Sequence, residues 1–170
     1  MRDGLFRVSL TQRPQPDSTG IDEVEFQVKL NAGQNFGALA RVASGGELSR
    51  ISLALQVASG GRSAVPTFVF DEIDAGIGGG AAEIVGAQLR ELAAQRQVLC
   101  VTHQAQVASQ GHVHFRIEKR RDGGASRTLI ARLDEQARID ELSRMIGGVE
   151  ITAKARAHAE EMMTRARSIP

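Results

Sequence analysis

Thr67-Phe68-Val69-Phe70-Asp71-Glu72 and Val98-Leu99-Cys100-Val101-Thr102-His103 are the two stretches whose reading decides the fold. Each is a short apolar run that stops abruptly at polar groups. That pattern predicts a strand buried on both faces, the first opened by Pro66. Between them, Gly76 to Gly80 predicts a turn, followed by a helix through about Ala94. A short helical segment is expected from Gln104 to Ser109. The order strand, helix, strand, helix implies a right-handed crossover and a parallel sheet. Ligands of open parallel sheets gather outside the carboxyl ends of the strands, which is where Asp71, Glu72 and His103 fall.

Upstream, Leu48, Ile51 and Leu55 recur at helical spacing, with Leu53 and Val57 on the neighbouring stripe. This helix opens at Ser44-Gly45-Gly46-Glu47 and is ended by Ser59-Gly60-Gly61. Residues 31–46 show no sustained period and predict a loop. Leu5 to Thr11 and Val24 to Leu30 alternate apolar and polar residues, predicting a hairpin. The intervening QRPQPDSTGID, with Pro14 and Pro16, predicts a long, exposed and mobile loop. Downstream, Val113–Lys119 and Arg127–Leu133 alternate around Asp122-Gly123-Gly124, a hairpin signal. Residues 135–168 read as helical, broken at Gly147-Gly148, with Thr152 or Glu150 near the start of the last helix.

Composition narrows the class. An apolar share of 42% with 24% charged residues supports a buried core and excludes disorder or collagen. No uninterrupted apolar run approaches the roughly 18 residues of a membrane span, and MRDGLFRVSL lacks the layout of a secretory signal. The single Cys100 has no internal disulfide partner and suits a reducing cytosol. A net charge of +1 does not mark the chain as a nucleic-acid binder. No repeat, and no heptad run long enough for a coiled coil, is present.

Three constellations carry chemistry, each with a plain alternative. Ser44 and Glu47 have capping-box spacing, yet Gly45 and Gly46 also leave backbone N–H groups bare at the positive end of a helix, as phosphate sites require. Asp71 and Glu72 can be a solvated strand end. Successive strand residues point to opposite sides, however, so one carboxylate can hold a Mg²⁺ shell while the other reaches an attacking water. His103 alone is more often structural. His112 and His114 read as members of a solvated strand face, His158 receives no role, and no Cys/His spacing suggests zinc. Residues 112–132 hold Arg116, Lys119, Arg120, Arg121, Arg127 and Arg132 against Glu118 and Asp122. A solvated hairpin face is the plain reading and a DNA-backbone contact the sharper one.

In this order the three constellations resemble the signature motif, Walker B motif and switch-histidine loop of the ABC-type ATPases, with Glu72-Ile73-Asp74-Ala75-Gly76 in the place of the D-loop. The strings VASGGELSRISLAL, FVFDEIDAGIGG and QVLCVTHQAQVA, with RMIGG and ITAKARAHAEEM near the end, are similar to the RecN family, the bacterial SMC-like DNA-repair ATPases. The resemblance covers nearly the whole chain and implies an α/β fold: the C-terminal lobe of an ABC-type (P-loop NTPase) ATPase head. Residues 1–134 would form the lobe and 135–170 helices packed on it.

By the same resemblance, Asp71 would bind Mg²⁺, Glu72 would polarise the attacking water, and His103 would contact the γ-phosphate. Ser44, Gly45, Gly46 and Glu47 would serve ATP bound to an opposite protomer, and Asp74 would couple the two sites. The partners implied are an N-terminal Walker A lobe joined through a coiled coil, a second head, and DNA at double-strand breaks, in the cytoplasm at the nucleoid.

The sequence departs from the family in two places. No G-x-x-x-x-G-K-[ST] and no obvious Q-loop occur, so this chain would need a lobe it does not contain and would be inactive alone. Gln104-Ala105 also stands where a bulkier apolar residue and a proline are expected. Two other classes are weighed: a non-catalytic dimerisation or docking lobe, which has no need for Asp71, Glu72 and His103 together, and a metal-dependent hydrolase acting alone through those three, which leaves the phosphate-type helix start at Ser44 unexplained.

Overall fold

The computed structural model describes residues 4–29, 33, 35–42, 44–59, 65–122, 125–148 and 151–168, which divide into two units, Met1–Leu48 and Ser49–Pro170. In the first unit β1 (Leu5–Asp17) pairs antiparallel with β2 (Gly20–Lys29), and β2 with β3 (Gly37–Ala38). Cross-strand register sets Phe6, Val8 and Leu10 opposite Val28, Phe26 and Val24, so one face is apolar.

The long loop expected between the first strands is absent. β1 runs through Pro14 and Pro16 to a tight turn, where Asp17 Oδ1 accepts from the Thr19 amide at 2.7 Å and its hydroxyl at 2.6 Å. β1 is an edge strand, which tolerates the missing proline donors, and its register shifts between Gln12 and Asp17. The expected loop before the first long helix also contains structure, β3 and a single turn α1 (Leu39–Val42). Neither is long enough to show a period.

α2 (Gly45–Ala58) is the helix read from the Leu48–Leu55 stripe. In the second unit β4 (Thr67–Phe70) and β5 (Gln97–Cys100) are parallel, linked by α3 (Gly80–Ala93). Leu53, Phe70, Ile73, Ala82, Val85, Leu89, Leu92 and Val107 form the main core, with Val57, Phe68, Val98 and Cys100 against it. The expectation that both strands are buried on both faces is corrected here. Phe68, Phe70, Val98 and Cys100 turn toward the core, while Val69, Leu99 and Val101 on the opposite pleat are 70%, 49% and 56% exposed. Alternation sends half of each apolar run to a face that no other layer of this unit covers among the described residues.

After β5 come α4 (Ala105–Ala108), the hairpin β6 (Phe115–Asp122) and β7 (Ala125–Arg132), then α5 (Glu135–Gly147) and α6 (Ala153–Arg167). Asp134 caps α5 by accepting from the Ala137 amide at 2.8 Å, and Thr152 caps α6 by accepting from Ala155 at 3.1 Å. Ala105 and Ala108 of α4 share a second core with Leu142, Ala159 and Met163, so the last two helices pack on the segment following His103. Leu30, the Gly60-Gly61 stop, Gly123-Gly124 and Glu150 lie outside the described residues.

Candidate active site

The parallel ladder brings the polar strand ends to one edge. Phe70 pairs with Cys100, and the Val101 amide donates to the Phe70 carbonyl at 2.9 Å, so Asp71 and the segment leading to His103 leave the sheet side by side. Beyond Phe70 the chain turns sharply. Glu72 has φ of 57°, the left-handed region that non-glycine residues rarely occupy. Its amide donates to Asp71 Oδ1 at 3.0 Å, and its carbonyl accepts from Ala75 at 3.0 Å. Both acidic residues are exposed. α2 grips the backbone of this turn: the Ser49 hydroxyl donates to the Asp71 carbonyl at 3.0 Å, and Arg50 Nη1 donates to the carbonyls of Ile73 at 3.1 Å and Ala75 at 2.9 Å.

Asp74 sits at the centre of the second contact. Its side chain is buried, and Oδ2 accepts from the Thr102 hydroxyl, the His103 amide at 3.0 Å and the Gln104 amide at 3.2 Å, with His103 Nδ1 at 3.3 Å. Burial pushes the Asp74 carboxyl up. The Thr102 hydroxyl, the His103 amide and the His103 charge more than offset this and hold it below the usual carboxylate range. Gln104 Nε2 donates to the Ile77 carbonyl at 3.0 Å. His103 remains 72% exposed despite its anchored backbone. Behind the edge, burial pushes the Cys100 thiol up to about 12, with the charges of Asp74 and Asp71 adding to it.

The Ser44 turn has the capping box read from its spacing. The Ser44 amide and hydroxyl donate to Glu47 Oε2 at 2.8 and 3.0 Å, and the Glu47 amide returns a 3.4 Å bond to Ser44 Oγ. Leu48 closes the first turn on the Ser44 carbonyl at 2.9 Å, while the Gly45 and Gly46 amides, as first-turn donors, have no acceptor within the helix. Gly45 is exposed and Gly46 is buried.

Asp74 and His103 therefore meet, Asp71 and Glu72 leave the same end of the ladder, and the Ser44–Glu47 turn is formed in the other unit. Ser49, Arg50, Thr102 and Gln104 escape sequence reading because each holds the backbone of another residue; the polar run after Val101 hinted only at Thr102 and Gln104. His114 is not on a solvated strand face. It precedes β6 and is half-buried, its Nδ1 has no partner, and burial followed by the nearby Arg138 charge lowers its pKa. Within the basic hairpin, Arg116 pairs with Glu118 at 2.6 Å and Arg120 with Glu118 at 3.4 Å, which reduces the positive charge offered there.

No group of three or more His, Cys, Asp or Glu positioned for a metal occurs among the described residues. Asp71 and Glu72 are two adjacent exposed carboxylates, a donor set of the kind that suits Mg²⁺, which is usually held by one or two carboxylates plus phosphates and water.

No protein-family model matches the chain. It is 50% identical over 159 residues to the DNA repair protein RecN of Xylella fastidiosa (strain Temecula1), covering 94% of this chain and 28% of that protein. It is 46% identical over 164 residues to RecN of Haemophilus influenzae, covering 96% and 29%. The chain thus spans under a third of the length of these curated relatives. Among solved structures, the Smc head domain of Pyrococcus yayanosii matches with a TM-score of 0.56 at 24% identity over 82% of this chain and 25% of that one. This likeness shows the α/β head fold. No helix among the described residues is long and apolar enough to cross a membrane.

Proposed function

We propose, from the premise that this chain is a segment of RecN type, that it is the C-terminal lobe of an ATPase head that binds and hydrolyses ATP between two protomers during DNA double-strand-break repair. The observation that carries this reading is the single sheet edge holding Asp71, Glu72 and His103, with Asp74 tying the two strand ends together. In this reading Asp71 holds Mg²⁺ through water and Glu72 orients and polarises the attacking water. His103 meets charge developing on the γ-phosphate. Phosphoryl transfer asks for positioning and electrostatics more than covalent chemistry, and these three groups supply both. Mg²⁺, when bound, neutralises charge on the phosphates.

The Ser44–Glu47 turn, a capped helix start with Gly45 and Gly46 in its first turn, serves the triphosphate held by an opposite head. Nucleotide then links the two protomers, and its hydrolysis releases them. Asp74 couples the sites by holding the switch segment against the turn that carries Glu72. The Walker A lobe, absent from this sequence, supplies the lysine and the cradle for the phosphates. The uncovered apolar face at Val69, Leu99 and Val101 supports this division, because parallel sheets are ordinarily covered on both faces. DNA contact belongs to the full protein, in the cytoplasm at the nucleoid.

Mixing the chain with a Walker A lobe of a RecN protein tests the reading. ATPase activity is expected in the mixture and in neither part alone. Turnover by this chain alone would point to an independent hydrolase, and an inert mixture to a docking lobe. Calorimetric titration of the isolated chain is expected to show ATP binding weaker than micromolar.

A further inference from the structure

We propose that Gln104, together with Thr102, is a positioning residue for His103, fastening the segment that carries the imidazole to the turn that follows Asp71 and Glu72. This rests on the reading of the edge as one side of an ATP-hydrolysing site. The fastening has two ends. At the first, Gln104 Nε2 donates to the Ile77 carbonyl at 3.0 Å. At the second, the Gln104 amide donates to Asp74 Oδ2 at 3.2 Å and to Thr102 Oγ1 at 3.0 Å, and the Thr102 hydroxyl itself donates to Asp74. Residues 102–104 are thereby held at both ends of the 74–77 turn. The turn runs close beneath the amide: a Cβ at Gly78 would lie 4.0 Å from Gln104 Nε2.

Gln104 does not hold the imidazole directly. Its Nε2 is 3.5 Å from His103 Nε2, at the outer limit of a hydrogen bond. His103 is 72% exposed, so its ring is placed by the 3.3 Å contact of Nδ1 with Asp74 and by the backbone beneath it, both of which the segment 102–104 sets. A side chain at 104 that can donate to Ile77 therefore matters, and the apolar residue expected from the family resemblance could not do so. The tie is a device of this chain: a fixed backbone carries an open imidazole, so that the charge-stabilising group is aligned before the phosphate arrives.

Gln104→Leu keeps the bulk and removes the donor, Thr102→Val removes the hydroxyl, and Thr102→Ser retains it. The first readout is amide hydrogen exchange of the chain without nucleotide. In Gln104→Leu and Thr102→Val the His103 and Gln104 amides, both of which end on Asp74, are expected to exchange about tenfold faster, and Thr102→Ser is expected to match the parent. The second readout is turnover in the mixture with a Walker A lobe. Both disabling variants are expected to lower kcat about five- to tenfold with KM for ATP within about twofold, because a lost alignment acts on the transition state.

Unchanged exchange in Gln104→Leu, or faster exchange with unchanged kcat, overturns the proposal. A Thr102→Ser variant as impaired as Thr102→Val also overturns it. If the parent mixture shows no turnover, the ATPase reading itself fails and this role falls with it. An active parent with an unaffected Gln104→Leu removes only the positioning role.

Discussion

The carboxylate of Asp74 lies 3.3 Å from Nδ1 of His103 and accepts the amide hydrogen of the same residue at 3.0 Å. This links the turn after β4 to the segment after β5 through one buried charge. Burial alone would raise the Asp74 pKa, and the bonds from Thr102 and His103 bring it below the ordinary value. A carboxyl depressed in the folded state stabilises the fold above its unfolded pKa, about 3.9, and that contribution disappears as pH falls through the lower folded value. Urea unfolding is therefore expected to show stability falling below about pH 4. Asp74→Asn should be less stable at pH 7 by about 1–3 kcal/mol and should lack that part of the acid slope. Parallel pH profiles for parent and variant would contradict the network.

Cys100 stands on the core-facing pleat of β5, and burial followed by the charges of Asp74 and Asp71 carries its thiol to about 12. Only the thiolate attacks disulfide reagents or alkylators. At pH 8 the native thiol should react about a thousandfold more slowly than in urea, where its pKa returns to about 8.5. Ellman's reagent measures both rates, and similar rates would place Cys100 outside the core.

Helix α3 carries a third test, at Gly86. A Cβ there would sit 2.8 Å from Gln110 Cγ, 3.0 Å from the Gln106 carbonyl oxygen and 3.1 Å from Val107 Cα. Alanine raises helix propensity by about 1 kcal/mol, but two of these three neighbours are backbone atoms and cannot swing away. Gly86→Ala is expected to lower stability by about 1–3 kcal/mol, read as a shift in the urea midpoint. An increase would mean that α4 yields easily.

The parts that could be read in advance are those encoded by period and punctuation. The Leu48–Leu55 stripe marks α2, the runs ending at Asp71 and His103 mark β4 and β5, and the glycines at 76–80 mark the turn into α3. Much of the rest depends on tertiary context. β1 passes through Pro14 and Pro16 because it lies at a sheet edge, a fact no local pattern contains. Val69 and Leu99 looked buried because an apolar run does not say which of its faces will be covered. At the site the acids and the histidine were legible by type, whereas Arg50, Thr102 and Gln104 work through carbonyls and amides that sequence leaves blank.

Glu72 sets function against stability. Its φ of 57° costs a β-carbon-bearing residue of its size about 1 kcal/mol, and asparagine tolerates that region better. The side chain is exposed, so no packing of its own offsets that cost. Glu72→Asn is expected to leave thermal stability equal or higher by up to about 1 kcal/mol while abolishing turnover in the assembled head. Glu72→Gln should leave stability unchanged, because shape and φ are kept, and should abolish turnover while prolonging the ATP-bound dimer. Melting curves, steady-state ATPase rates and dimer lifetime by light scattering separate these effects. Normal turnover in Glu72→Gln would remove Glu72 from the chemistry, and a destabilised Glu72→Asn would show that the turn is held by the glutamate side chain rather than strained by it.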